Sequence, residues 1–263
     1  MTDESFPIRV DQRAGVAIWT IDRIDRRNSL SRATLLAFGK LAREAADNGS
    51  IRAVVVTGAG DEVFCAGADL KERREMTENE VRAQVDLYRT ELGALDRSPK
   101  PGVAAINGVA LGGGLELSLC CDLRVAADHA RLGFPETSLG IIPGAGGTQR
   151  LPRLVGEGRA KEMILLGRRL TAVEALSWGL VNRVTPSGSS VVDDAVAWIQ
   201  PIAEGAPIAQ AAALAAIDRA LDVDLEMGLA LEKLGYERVL VSEDRREALA
   251  AFAEKRPPVF AGK

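Results

Sequence analysis

The sequence predicts an α/β chain whose C-terminal part is all helix, and three observations predict it. Short apolar runs such as Ala53–Thr57 and Gly102–Ile106 alternate with longer segments of helical period. Glycine clusters stand where helices begin, as at Gly112-Gly113-Gly114. After about Gly188 the chain turns rich in Ala, Leu and Glu, and the strand-like runs stop. Alternation followed by uninterrupted helix is the pattern of strands joined by crossovers, with a helical region appended.

Taken in order, Ile8–Val10 and Val16–Ile21 read as two strands joined by a turn at Arg13-Ala14-Gly15. Ser31 precedes a helix to about Asp47, with Leu35, Leu36, Leu41 and Ala45 as its apolar stripe. Ala53–Thr57 is a short buried strand, ended by Gly58-Ala59-Gly60. Thr77 and Glu80 form a capping box at the start of a helix running to about Arg97. Gly102–Ile106 and Asp122–Ala127 are further strands, with the triple-glycine helix start between them. Thr171 and Glu174 form a second capping box, and Pro207 suits the first turn of a helix. Asp224–Leu240 and Glu243–Lys255 are the last two helices, closed by Pro257-Pro258.

Composition narrows the function classes. The 263 residues carry 33 Lys+Arg and 37 Asp+Glu, a formal net charge of −4, with 47% hydrophobic residues. A chain of this length buries about 70–75% of its unfolded surface and needs no disulfide or metal staple. The mild acidity excludes a dispersed electrostatic grip on nucleic acid. The helix at 31–47 agrees, offering Arg32, Lys40 and Arg43 beside Glu44 and Asp47. Three cysteines, Cys65, Cys120 and Cys121, with no CxxC spacing, form neither a disulfide framework nor a zinc site, so no metal is expected. No apolar run approaches a membrane span, and the acidic N-terminus has no apolar signal core. A cytoplasmic protein is therefore expected. The one histidine, His129, lies in a polar break, which leaves little room for Ser-His-Asp chemistry.

Three segments place backbone amides or carboxylates where a site can form. Phe64–Leu70 is built of small residues that let another molecule approach the backbone. Gly108–Glu116 opens a helix on glycines, with free N–H groups and Glu116 in its first turn. Phe134-Pro135-Glu136 and Gly140–Gly147 offer a second carboxylate and another glycine-rich helix start. Each has an ordinary structural explanation when taken singly. Together they supply two glutamates and two sets of amides.

Phe64-Cys-Ala-Gly-Ala-Asp-Leu-Lys-Glu-Arg73, Ala110-Leu-Gly-Gly-Gly-Leu-Glu-Leu117, Pro135-Glu136 and Ile142-Pro-Gly-Ala-Gly-Gly-Thr-Gln-Arg-Leu151 resemble the enoyl-CoA hydratase (crotonase) family. The resemblance runs from about Val16 to Gly262. Within the family, Cys65–Arg73, Ser242-Glu-Asp-Arg245 and Glu254-Lys-Arg-Pro-Pro258 look most like the 3-methylglutaconyl-CoA hydratase branch. The resemblance implies a ββα spiral core over residues 1–190. It implies a helical region over 191–263 that trimerises, often into a dimer of trimers. It implies an acyl-CoA thioester substrate and no cofactor beyond the coenzyme A that the substrate carries. Nucleic acid and membrane are not among the implied partners.

Residue by residue, the resemblance implies an oxyanion hole from the amides of Ala66 and Gly113, with Gly112 beside it. Removing one such donor typically costs about 3–4 kcal/mol of transition-state stabilisation. It implies CoA contacts from Ala66, Gly67, Ala68, Asp69 and Leu70, from Arg26 and Arg27, and a positioning role for Gly144 at the start of a helix. Members that add water across the 2,3-double bond carry two glutamates, matching Glu116 and Glu136. Glu136 is then the group that protonates C2, and Glu116 the one that orients and activates water. A double-bond isomerase or another CoA-thioester lyase is the alternative, and a non-catalytic CoA- or RNA-binding protein a more distant one. The Lys71/Arg73/Arg74 cluster suits CoA phosphate, a distal substrate carboxylate or plain solvent.

Overall fold

In the computed structural model, which describes residues 6–263, the chain opens as a hairpin. Strands β1 (Ile8–Arg13) and β2 (Val16–Ile21) pair antiparallel, with Ile8 opposite Ile21 and Arg13 opposite Val16. The turn residues Ala14 and Gly15 both have positive φ, 45° and 84°, which suits the twist of a two-residue hairpin. β1 continues past the expected Val10 to Arg13. Its added residues are exposed and polar, so cross-strand pairing to the buried β2 extends it, not its own hydrophobicity.

Ser31 caps α1 (Arg32–Asp47), its hydroxyl accepting from the Thr34 amide. Then come β3 (Ala53–Gly58), β4 (Val63–Cys65), α2 (Leu70–Arg74) and α3 (Glu78–Asp96), the last opened by the Thr77/Glu80 capping box. Strands β5 (Gly102–Ile106) and β6 (Val109–Leu111) lead into α4 (Gly113–Leu119). Strands β7 (Leu123–Ala127) and β8 (Arg131–Gly133) lead through a 3-10 turn at Glu136–Leu139 into α5 (Gly147–Val155) and α6 (Glu157–Leu165). β9 (Arg169–Thr171), α7 (Ala172–Trp178) and β10 (Arg183–Thr185) follow. The chain ends in α8 (Val191–Ala203), α9 (Pro207–Arg219), α10 (Leu225–Leu240) and α11 (Glu243–Glu254).

From β3 to β8, consecutive strands alternate between two sheets. One sheet has six strands in the order β1-β2-β3-β5-β7-β10, and the other has four in the order β4-β6-β8-β9. The steps β3–β4, β5–β6 and β7–β8 each cross from the first sheet to the second, and each is followed by helix. The path therefore advances as a spiral of ββα turns, as the family resemblance implies. All pairings from β2 to β10 in the large sheet are parallel.

The large sheet is covered on both faces, which is why its central strands read as continuous apolar runs. Ala17, Trp19, Ile21, Val54 and Val56 face a core shared with α1, α3 and α4. Their alternates Val16, Ile18, Val55 and Val103 face a second core under Val191, Ala195 and Ile199 of α8. Thus α8 belongs to the packing of the sheet, although it opens the helical region. Beyond it, α9 buries Ala212, α10 buries no residue, and α11 buries Asp244 and Ala251. No helix among the described residues is long and apolar enough to cross a membrane.

Helix α4 runs hard against β4. A Cβ on Gly114 would lie 2.1 Å from the Cys65 carbonyl oxygen. Helix propensity alone favours alanine over glycine by about 1 kcal/mol. The contact is with backbone and cannot yield cheaply, so we expect Gly114→Ala to destabilise by about 3 kcal/mol. Denaturant unfolding of the two proteins measures this.

Candidate active site

Three neighbouring strands of the small sheet, β4, β6 and β8, run parallel. Their carboxyl ends lie side by side, and each delivers one of the segments singled out in the sequence. Ala66–Asp69 leaves β4, Gly112–Glu116 leaves β6, and Phe134–Glu136 leaves β8. The carboxyl edge of a parallel sheet is where backbone groups are left open to a ligand. Here it opens into a cavity of about 170 Å³ lined by Ala68, Gly113, Glu116, Glu136 and the α3 residues Gln84 and Tyr88, among others.

Glu116, in the first turn of α4, is 3% exposed. Its Oε1 accepts the backbone N–H of Ala145 at 2.7 Å and of Gly147 at 2.8 Å. Burial pushes the carboxyl above its ordinary range, while those two amides and the Arg150 guanidinium oppose the shift. Arg150 is itself fixed: it makes a two-pronged contact with Asp96 at 2.9 and 2.8 Å and donates to the Ala145 carbonyl at 2.9 Å. The glycine-rich loop is thus held from both sides, by Glu116 and by Arg150.

Glu136 is 8% exposed, and its Oε2 is buried with no hydrogen-bond partner among the described residues. Desolvation pushes this carboxyl up to about 7; its own backbone amide opposes the rise and the Glu116 charge adds to it. Glu136 reaches the start of α4 because Gly112 has no side chain. A Cβ there would lie 2.6 Å from Glu136 Oε1, and Gly112 sits at φ +52°. The two carboxyls therefore differ in environment. Glu116 has donors that favour its anion, and Glu136 has a dry oxygen that favours its acid form.

The backbone amides require a correction. The Ala66 N–H donates to the Arg27 carbonyl at 3.1 Å and is not free for a substrate. Around it, the Gly67 carbonyl accepts from Leu30 N–H and Asp69 N–H donates to the Leu30 carbonyl. This short bridge between Leu30 and Ala68 leaves the Ala68 N–H with no partner among the described residues. A Cβ on Gly113 would lie 3.6 Å from that nitrogen. Gly113 is the first residue of α4, so its own N–H is also unpaired within the helix. The pair of open amides is Ala68 and Gly113, with Ala66 replaced because strand-like pairing uses it up.

Of the other expected residues, Gly67, Leu70, Gly112 and Gly144 line the cavity. Gly144 is in the loop before α5, not at its start, since α5 begins at Gly147. Asp69 caps α2 through the amides of Lys71 and Glu72 and pairs with Arg23 at 3.0 Å, so its carboxylate braces the loop. Arg26 and Arg27 lie outside the cavity. Arg26 ends an exposed 3-10 turn beside Asp25, and Arg27 contributes its carbonyl to Ala66. Tyr88, Arg150, Arg23 and Gln84 carried no expected role. Only Arg150 stood within a quoted motif, and nothing in the residue pattern pointed to the other three. No group of metal-binding side chains occurs among the described residues.

Comparison with known proteins fits this geometry. A family model described as enoyl-CoA hydratase/isomerase matches residues 11–263. An enoyl-CoA hydratase crystal structure from Bacillus anthracis superposes with a TM-score of 0.95 at 48% identity, covering 98% of this chain and 100% of that one. The Mycosarcoma maydis enoyl-CoA isomerase/hydratase fer4 is 45% identical over 258 residues, 95% of this chain and 93% of its own. The human mitochondrial methylglutaconyl-CoA hydratase is 40% identical over 266 residues, 99% of this chain and 78% of its own. Its branch is thus one among several of comparable similarity. The family acts on acyl-CoA thioesters, and its enzymes are the frame for what the two carboxyls and two amides do here. The chain belongs to the enoyl-CoA hydratase/isomerase family.

Proposed function

We propose that the protein is a 2-enoyl-CoA hydratase. The observation that carries the reading is the unequal pair of carboxyls, Glu116 held as an acceptor of two amides and Glu136 with a dry, unpartnered oxygen. The thioester oxygen accepts from the amides of Ala68 and Gly113, which draws charge out of the double bond and stabilises the enolate as it forms. Glu116, as carboxylate, takes a proton from the water that attacks C3. Glu136, as carboxylic acid, gives its proton to C2. Glu116 and Glu136 both line the one cavity, which suits delivery of both parts of water to the same face, a syn addition. At the end Glu116 holds the proton and Glu136 is the anion, so solvent exchange resets the pair. The reading asks for no cofactor beyond the substrate's CoA.

The substrate of this reading is a short 2-enoyl-CoA, with 3-methylglutaconyl-CoA the first specific compound to try. A trimer, alone or paired into a hexamer, fits the apolar residues that α9–α11 leave open, among them Leu221, Leu225, Leu234 and Phe252. The alternative, a double-bond isomerase, needs one group to carry a proton between C2 and C4 and has less use for Glu116.

Crotonyl-CoA hydration, followed by loss of the enoyl-thioester absorbance, tests the reading. We expect turnover in the parent protein, and Glu116→Gln and Glu136→Gln each to lower kcat by about 10²–10⁴. No hydration by the parent protein, with isomerisation of a 3-enoyl-CoA that survives Glu116→Gln, contradicts it.

The pH profile follows from the proton count. The working pair holds one proton in either direction, and the apparent constants belong to the pair. With the Glu136 value near 7, kcat/KM for hydration should fall about tenfold per pH unit well above that point, and dehydration should fall over the same range. Arg150→Met removes a cation that opposes the rise of the Glu116 constant. Its acid limb should move to higher pH, with kcat lowered by about tenfold. A loss of kcat with an unmoved limb would make Arg150 a purely structural brace.

A further inference from the structure

Tyr88 lines the cavity from α3 and has no part in the chemistry above. It is 7% exposed. Its hydroxyl donates to the Leu30 carbonyl at 3.1 Å, its one side-chain hydrogen bond among the described residues. Its ring lies against Gly113, where an added Cβ would come within 3.4 Å of the ring carbon Cε1. One side chain thus touches both halves of the donor pair. It meets the helix start that carries the Gly113 amide, and it meets the residue from which the Ala68 segment hangs.

Leu30 holds both peptide units that flank Ala68. Its N–H donates to the Gly67 carbonyl at 2.8 Å, and its carbonyl accepts the Asp69 N–H at 3.2 Å. The Gly67 carbonyl and the Ala68 N–H belong to one planar peptide unit and point in opposite directions. By holding one side of that plane, Leu30 aims the donor on the other. The plane needs such a tie, because Gly67 lets it turn more freely than any other residue would. Leu30 itself stands in no strand, and its one ladder contact is the bridge to Ala68. Tyr88 supplies the brace from outside that bridge. It heads the well-packed half of α3, where Glu91 receives Arg43 at 2.9 Å and Leu92 and Leu95 enter the core. A buried tyrosine hydroxyl needs some acceptor in any fold. Here the acceptor belongs to the residue that aims one donor, while the ring rests on the other.

We propose that Tyr88 is a positioning residue for the thioester, fixing the spacing and direction of the Ala68 and Gly113 amides through Leu30 on one side and ring contact on the other. The inference rests on the reading that these two amides bind the thioester oxygen. Infrared difference spectroscopy of the full chain with butanoyl-CoA, carrying heavy carbon at its thioester carbonyl, tests it. Hydrogen bonds to a carbonyl oxygen lower its stretching frequency, so the band reports the two donors directly. A saturated thioester cannot be hydrated, so the result does not depend on turnover.

In the parent protein the band should lie below its position in the free ligand. Tyr88→Phe keeps the ring and the buried volume and loses the hydroxyl. It should move the band back toward the free position and lower kcat for crotonyl-CoA about tenfold, with KM changed by less than about twofold. Tyr88→Leu loses both contacts and should move the band further. A tyrosine with only a structural role would lower the unfolding temperature of Tyr88→Phe and leave the bound band where the parent has it, which overturns the proposal. A band that is not displaced in the parent protein overturns the placement of the thioester as well, so the two failures are told apart.

Discussion

A carboxylate sealed inside a protein must be answered by hydrogen-bond donors, and Glu116 is answered by two amides of one loop. That interaction ties the first turn of α4 to the start of α5 and fixes the shape of the cavity floor. It also makes the two carboxyls unlike. Both are buried, and each raises the cost of charge on the other, so a single proton is the natural occupancy of the pair. In the proposed mechanism the amides keep the charge on Glu116, and Glu136, lacking such donors, keeps the proton. Arg150 and Asp96 extend this arrangement outward by holding the same loop through the Ala145 carbonyl.

The second constraint is steric. The amides of Ala68 and Gly113 face one region because β4 and β6 are adjacent parallel strands and the backbone leaving each comes close to the other. Gly67, at φ +97°, would carry a Cβ 2.8 Å from the Leu111 carbonyl oxygen. Gly114 meets Cys65 in the same way, and Gly112 admits Glu136. The small residues of the three segments thus serve close packing and the site at once. One explanation does not displace the other, since the packing is what brings the donors together.

Most strands of the large sheet, most of the long helices and their caps were legible because they are long enough to show a period or carry a capping residue, whereas the three-residue β10 was not read. Ser31, Thr77 and Thr171 cap where their spacing places them. The second sheet was not legible. Its strands β4, β6, β8 and β9 are three residues each, too short for alternation to register, although it is their ends that build the site. The two glutamates could be read from motif and helix position. The donor amide could not, because whether Ala66 or Ala68 is free depends on pairing with Arg27 and Leu30, far away in sequence.

The distribution of the shared proton is the centre of this account, and infrared difference spectroscopy near pH 6 measures it directly. The parent protein should show a protonated-carboxyl band that Glu136→Gln removes and Glu116→Gln leaves in place. A band that instead disappears with Glu116→Gln and persists in Glu136→Gln would put the proton on the wrong carboxyl and reverse the roles assigned to the pair.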